Sequence, residues 1–428
     1  MTHVLFVAAL LSLPLFGLWT WRLEAVRRAD LAARVAVAGA AGAVTVAVVM
    51  SVLSLVHVRW TRITLLVIFG AVLWSGARFG RRTLAIRRPK RPPLHWMTIA
   101  FVALTCYGIL TARESAGDLH FFWGPKAIHF AEARGIDVAF LANHAHPNPD
   151  YPPLVPLVYA FATLVAGGFS WWGALLGSAL CMIACIAIVR GFTGDDFGAL
   201  LLAAIYAWTF AVGYVPGGAD APLLLFETLA LIALTRNADA LAAIGLAGAV
   251  FTKVEGATFV IAVVLAIVLV RRDFKRSFRV AAPAFVLFAA WLAFLLVNHL
   301  IFGYGEAPAP IHFDVIAKTL TLVAQSAQYR IAALPWIVPI VLLVWRRDPL
   351  PLVVAVLTFG VAIFFYIHNQ NPDWWISASA LRVLLTPLTA LLIAVLQSRA
   401  DGVVPEGKEA EGSGREIGRD ARGAVGQV

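Results

Sequence analysis

Apolar residues run through this chain in long continuous stretches, broken by short polar joints, from Val4 to about residue 397. Most stretches approach the ~20 residues that cross a hydrocarbon core as a helix. They are continuous rather than alternating, which excludes a transmembrane β-barrel. The pattern predicts about thirteen spans: Val4–Trp21, then 35–58, 63–78, 96–112, 171–190, 197–213, 221–236, 240–253, 256–270, 280–302, 332–345, 350–367 and 379–397. Composition agrees with it. The 428 residues are 61% hydrophobic and 14% charged, against about 25% charged in a soluble domain. The reading is an all-α polytopic membrane protein. The first run lacks a basic leader and an A-x-A-type cleavage site, so it is expected to be a retained helix rather than a signal peptide.

The net charge of +10 points to orientation, not to nucleic acid. Basic residues cluster in the joints: Arg22, Arg27, Arg28 and Arg34; Arg78 through Arg91; Arg190; Arg236; Arg271 through Arg279; Arg346 with Arg347; and Arg399. Such clusters mark the cytoplasmic side. All of them fall on one side only if the segment from Pro152 to Phe169 does not span, and the double proline at its start and Gly167-Gly168 at its end suit an abrupt start and stop. It is expected to be a re-entrant or surface helix. The N-terminus then lies outside and the C-terminus inside. Arg59 and Arg62 fall on the wrong side in this scheme. Residues 1–95 form additional N-terminal spans with a basic cytoplasmic loop, residues 96–397 the functional region, and residues 398–428 a polar tail read as disordered.

The same scheme puts the unusual polar residues on the extracytoplasmic face. They concentrate in the loop 113–170, where acids, histidines, Lys126 and aromatics lie between two apolar regions. Asp118 stands just past an outward span in aromatic surroundings, which suits either a general base or an N-cap. Lys126 with His120, His129, His144 and His146 suits either a phosphate cradle or an ordinary interfacial loop. His144-x-His146 with Asp150 leaves a divalent metal open and unassigned. Lys253 and Glu255 interrupt an apolar stretch, and charges there face a cavity or a partner. Arg382, just inside the last span with no acid one helical turn away, calls for an anion. Cys106, Cys181 and Cys185 sit in apolar runs and read as core residues.

Four elements together resemble integral-membrane glycosyltransferases of the GT-C class, the bacterial relatives of protein O-mannosyltransferases and aminoarabinose transferases. They are the acid opening the first large loop (Asp118), the Y-P-P-L box (Tyr151 to Leu154), the short G-G-A-D-A-P-L loop holding Asp220, and Arg382 followed by leucines and Pro387. The likeness covers about residues 96–397. It implies a GT-C-like bundle in the bacterial cytoplasmic membrane with its site outside. A polyprenyl-phosphate sugar would donate to a hydroxyl of a glycan, lipid or protein with inversion. Asp118 would be the base. Lys126, Lys253 and Arg382 would hold the donor phosphate, and His120, His146, Asp150, Tyr151, Asp220 and Glu255 would line the cavity. The chain departs from the family where Asp118 is followed by Leu119 and His120 instead of a second acid, with Glu114 four residues earlier. It departs again where Tyr151 stands in place of a lysine. Two competing readings are a transporter or flippase of a lipid-linked sugar and a non-catalytic protein that binds the lipid carrier.

Overall fold

The computed structural model describes residues 1–80, 94–112, 117–143, 148, 150–212, 217–300, 311–324, 334–344, 348–369 and 371–396. Among them every regular element is helical. The N-terminal part comprises α1 (Thr2–Leu11), α2 (Leu13–Phe16), a 3₁₀ turn Leu18–Arg22, α3 (Glu24–Arg28), α4 (Leu31–Leu55) and α5 (Arg62–Gly80). Next come α6 (Trp96–Thr111), a π-turn Leu119–Trp123, α7 (Gly124–Ala133), α8 (Val138–Leu141), α9 (Leu154–Ala166), α10 (Trp171–Thr193) and α11 (Asp196–Val212). The C-terminal half holds α12 (Asp220–Thr235), α13 (Asp239–Thr252), α14 (Val254–Ala266) running on into a π-turn to Arg271, α15 (Phe274–Val297), α16 (Asp314–Ala324), α17 (Leu334–Leu342), α18 (Pro349–Ile367), α19 (Pro372–Val383) and α20 (Leu385–Leu396).

Among the described residues six helical segments are long and apolar enough to cross a membrane: Thr2–Arg22, Leu31–Leu55, Trp171–Thr193, Val254–Arg271, Phe274–Val297 and Pro349–Ile367. Shorter apolar helices accompany them, among them α6, α9, α13 and α20. This is the make-up of a polytopic membrane protein. Acids start several of these helices locally: the side chains of Asp30, Asp273 and Asp348 accept first-turn amides of α4, α15 and α18 at 2.9 Å, satisfying donors that the helix leaves open.

The core is built around α12 and α20. Every residue from Asp220 to Leu234 is buried, and in α20 every residue but Thr386. Both are buried all round, as helices enclosed by others are, although α12 carries Asp220 and Glu227. α13 lies hard against α12, because Gly245 lets the two backbones meet: a Cβ there would stand 2.6 Å from the Ala230 amide and 2.7 Å from the Phe226 carbonyl.

Basic joints far apart in sequence collect at one end. Arg28 and Arg236 line the same cleft with Asp239, and Asp239 pairs with Arg276 at 2.8 Å and Arg279 at 2.6 Å. Gly191, next to Arg190, abuts Ala33 and Asp30 at the start of α4. The amide of Asp348 bonds the Ala394 carbonyl at 2.8 Å, bringing the start of α18 to the end of α20. Asp220 lies at the opposite end of α12, about 24 Å from Arg236 at 1.5 Å per residue. Arg62 belongs to that opposite end, where its Nε donates to the Leu164 carbonyl at 3.1 Å.

Three expectations change. The segment after Y-P-P-L is not a surface helix. α9 is 13 residues long and 11 of them are buried, enclosed by α1, α4, α7 and α13. Its entrance and exit lie at the same end: the Asp150 carbonyl accepts from Trp291 Nε1 at 2.7 Å, and Trp171 beyond it stacks on His120. The first expected span holds as one segment, Thr2–Arg22, but bends at Ser12 and continues through α2 and a 3₁₀ turn. The last is divided at Leu384 into α19 and α20. The cluster 81–91, the tail from residue 398, Glu114 and His146 lie outside the described residues.

Gly245→Val should drive Cβ and methyl groups into the α12 backbone and destabilise the protein by about 1–3 kcal/mol, the scale of overpacking. Gly70→Ala, with nothing within 4 Å of its Cβ position, should leave stability nearly unchanged. Thermal unfolding of the detergent-purified variants checks this, and equal midpoints for the two would refute the close α12–α13 contact.

Candidate functional site

At the end of α12 away from the basic cleft, four distant segments bring charged side chains together. Asp118 stands one residue before the π-turn, in the N-cap position, yet its carboxylate makes no capping bond. It accepts instead from Arg382 Nη1 at 2.5 Å, across 264 positions of the chain. The N-cap reading of Asp118 is thereby replaced by an ion pair.

Asp220 begins α12 beside them. The turn before it is shaped by Gly217, whose φ of +76° suits glycine and whose Cβ position is crowded by Leu119 at 2.6 Å. Gly218 then passes next to the carboxyl groups: a Cβ on it would be 3.6 Å from Asp118 Cβ and from Asp220 Oδ2. Lys253 is a single extended residue between α13 and α14, with φ −157° and ψ 155°. Gly256 permits that sharp joint, since its α-carbon lies against the Ala249 carbonyl. Lys253 Nζ bonds Asp220 Oδ1 at 3.0 Å and Glu255 Oε1 at 2.8 Å.

The result is a chain of charges, Glu255–Lys253–Asp220–Arg382–Asp118, with three carboxylates on two cations and a formal charge of −1. Asp220 Oδ2 is 4.0 Å from Arg382 Nη1 and has no hydrogen bond; neither do Glu255 Oε2 or Arg382 Nε. Asp220 and Lys253 are buried, whereas the side chains of Asp118 and Arg382 keep 24% and 19% of their exposure. The reachable part of the cluster is therefore the Asp118–Arg382 end. Burial raises the Asp118 pKa above the ordinary carboxylate value. Arg382 opposes that rise and Asp220 adds to it.

The expected phosphate ligands separate. Arg382 belongs to the site. Lys253 is buried and already held by two carboxylates, Asp220 and Glu255. Lys126 is in another cluster: almost fully buried, it donates to the Asn148 carbonyl and lies over the rings of Trp123 and Tyr151, 5.7 and 6.0 Å from their centroids. Those two rings stack at 5.6 Å and 6°. Lys126, Asp150 and Tyr151 thus fasten the Y-P-P-L segment to α7, a structural duty the sequence did not reveal. His120 stacks on Trp171 with centroids 4.5 Å apart. Among the described residues no group of three or more His, Cys, Asp or Glu side chains is arranged to hold a metal ion; His144 and His146 lie outside them.

One residue escaped the sequence reading. Glu227, seven positions after Asp220 and so on the same face of α12, is buried and accepts from Thr386 Oγ1 at 2.9 Å, with Oε2 unpartnered. Its signal was a carboxylate inside an apolar span. No protein-family model, curated protein or solved structure matches this chain.

Burial lowers the Lys126 pKa from 10.5 to about 7, with Asp150 opposing. Between those values the unfolded chain holds a proton that the folded one lacks, so stability rises with pH there and is level below about 7. Wild type should gain on Lys126→Met as pH goes from 7 to 10, by up to about 1.4 kcal/mol per pH unit. Thermal melts of both proteins across that range measure it, and parallel curves would refute the buried-amine assignment.

Proposed function

We propose that this protein is a membrane glycosyltransferase with a GT-C-like bundle of about thirteen spans. It moves a sugar from a polyprenyl-phosphate donor to a hydroxyl of a glycan, lipid or protein on the extracytoplasmic face of the bacterial cytoplasmic membrane. The observation that carries the reading is the Asp118–Arg382 pair. The acid and the arginine singled out for base and phosphate work meet at the partly exposed edge of one site, at the end opposite the basic cleft. By the bias of basic residues toward the cytoplasm, that end faces outward.

The chemistry follows from the pairing. A polyprenyl phosphate leaves without protonation, so one base and one cation suffice, unlike the two carboxylates of a glycosidase. The donor phosphate competes for the Arg382 guanidinium, whose fork matches phosphate oxygens. Drawing Arg382 away leaves Asp118 less stabilised as an anion, hence more basic. The acceptor oxygen bonds to the anomeric carbon from the face opposite the phosphate while the carbon–oxygen bond to phosphate breaks. The bonding pair departs on the phosphate, held by Arg382, and the hydroxyl proton goes to Asp118. Inversion results. Lys126 and Lys253 have no part in this scheme as phosphate ligands, and a divalent metal remains an open addition to it.

Glu227 favours a second reading. A carboxyl deep in the bundle, on one stripe with Asp220, suits a path for protons or polar cargo, as in transporters. Membrane vesicles supplied with radiolabelled polyprenyl-phosphate sugar separate the two readings. Label in a new covalent product supports transfer, and label that only crosses supports transport.

Asp118→Asn should lower transfer about 10²–10⁴-fold, the usual scale for a general base, without loss of the folded protein. The wild-type rate should fall with acid through a midpoint above the ordinary aspartate value of 3.8, because burial raises this group. Near wild-type transfer by Asp118→Asn would sink the assignment.

A further inference from the structure

One guanidinium nitrogen, Arg382 Nη1, stands 2.5 Å from Asp118 Oδ2 and 4.0 Å from Asp220 Oδ2. Of the two carboxylates Asp220 is the more buried. On burial alone Asp220 has the greater need of Arg382, since an unpaired buried charge costs several kcal/mol. Yet Arg382 binds Asp118. The difference is Lys253, which satisfies Asp220 through its other oxygen, Oδ1, and is itself anchored by Glu255 on the far side.

We propose that Lys253 is a positioning residue: by holding Asp220 it keeps the Arg382 guanidinium on Asp118. The extended backbone at 253, a break one residue long between two helices, carries the lysine to Asp220. Arg382 Nε has no partner, so the guanidinium has donors to spare and turns toward Asp220 through little more than 1 Å when the lysine charge is gone. Lys253 thus sets how firmly the exposed carboxylate is held, without touching it. The charged groups facing Asp118 are Arg382 from α19, Asp220 from α12 and Lys253 from the α13–α14 joint, with Glu255 behind Lys253. The role of Asp118 as a base rests on the preceding reading; the placement of Arg382 does not.

The test reads the protonation of Asp118 directly, so it is independent of any transferase activity. Full-length protein in detergent is treated with a hydrophobic carbodiimide, which modifies protonated carboxyls, over a pH series. Labelling of the peptide containing Asp118 is followed by mass spectrometry. In Lys253→Met the pH midpoint of labelling should move upward, as Arg382 shifts to Asp220. In Lys253→Met with Asp220→Asn it should return to the wild-type midpoint or below, because the competitor is gone. Lys253→Arg should match wild type. An unchanged midpoint in Lys253→Met overturns the proposal, and so does a double variant that stays as high as the single one. Should Lys253→Met fail to fold, Asp220→Asn alone decides. Its midpoint must fall below wild type, and an equal or higher one overturns the proposal.

Discussion

A guanidinium at the head of a helical bundle must be matched by carboxylates, and the way Arg382 is matched determines how the rest of this site is arranged. Its pairing with Asp118 ties the first loop to the break between α19 and α20. Its nearness to Asp220 ties both to α12, the most enclosed helix of the core. Buried pairs of this kind add little net stability, but losing one partner is costly. The network therefore acts as a constraint on geometry: α12, the α13–α14 joint and α19 have to stay in register for the charges to remain satisfied.

The packing supports that register in material ways. Gly245 and Gly256 bring backbone against backbone where side chains would hold helices apart. Gly217 takes the left-handed turn that sets Asp220 next to Asp118. On the other flank, Trp291 and Lys126 grip the Asp150 and Asn148 carbonyls and keep the entry to α9 closed against α7 and α15. The polar residues of the first loop thus divide into an ion-paired edge at Asp118 and a clamp at Lys126.

Much of the architecture was legible in the residues. The apolar runs mark the long helices, and Arg236 lines one cleft with Arg28, as the grouping of the basic joints anticipated. Arg62, which the scheme could not place with the other basic residues, lies at the other end beside the Leu164 carbonyl. The site residues Asp118, Asp220, Lys253, Glu255 and Arg382 were each visible as polar anomalies. Their partners were not. Lys126 looked like a phosphate ligand because a lysine in an external loop is ordinarily free; nothing local says that two aromatic rings and a carbonyl enclose it. Glu227 shows in the sequence as a single carboxylate within an apolar run, and only the fold brings Thr386 to it.

The difference lies in which energies are local. Whether a segment is helical and apolar enough for a membrane depends on its own residues and their transfer from water. Those features the sequence by itself determined. Which cation meets which carboxylate depends on distances near 3 Å between segments up to 264 positions apart, set by helix packing and by glycines that admit close contact. Tertiary structure alone decided that Arg382 rests on Asp118, that Lys253 is occupied by Asp220 and Glu255, and that α9 is enclosed in the bundle.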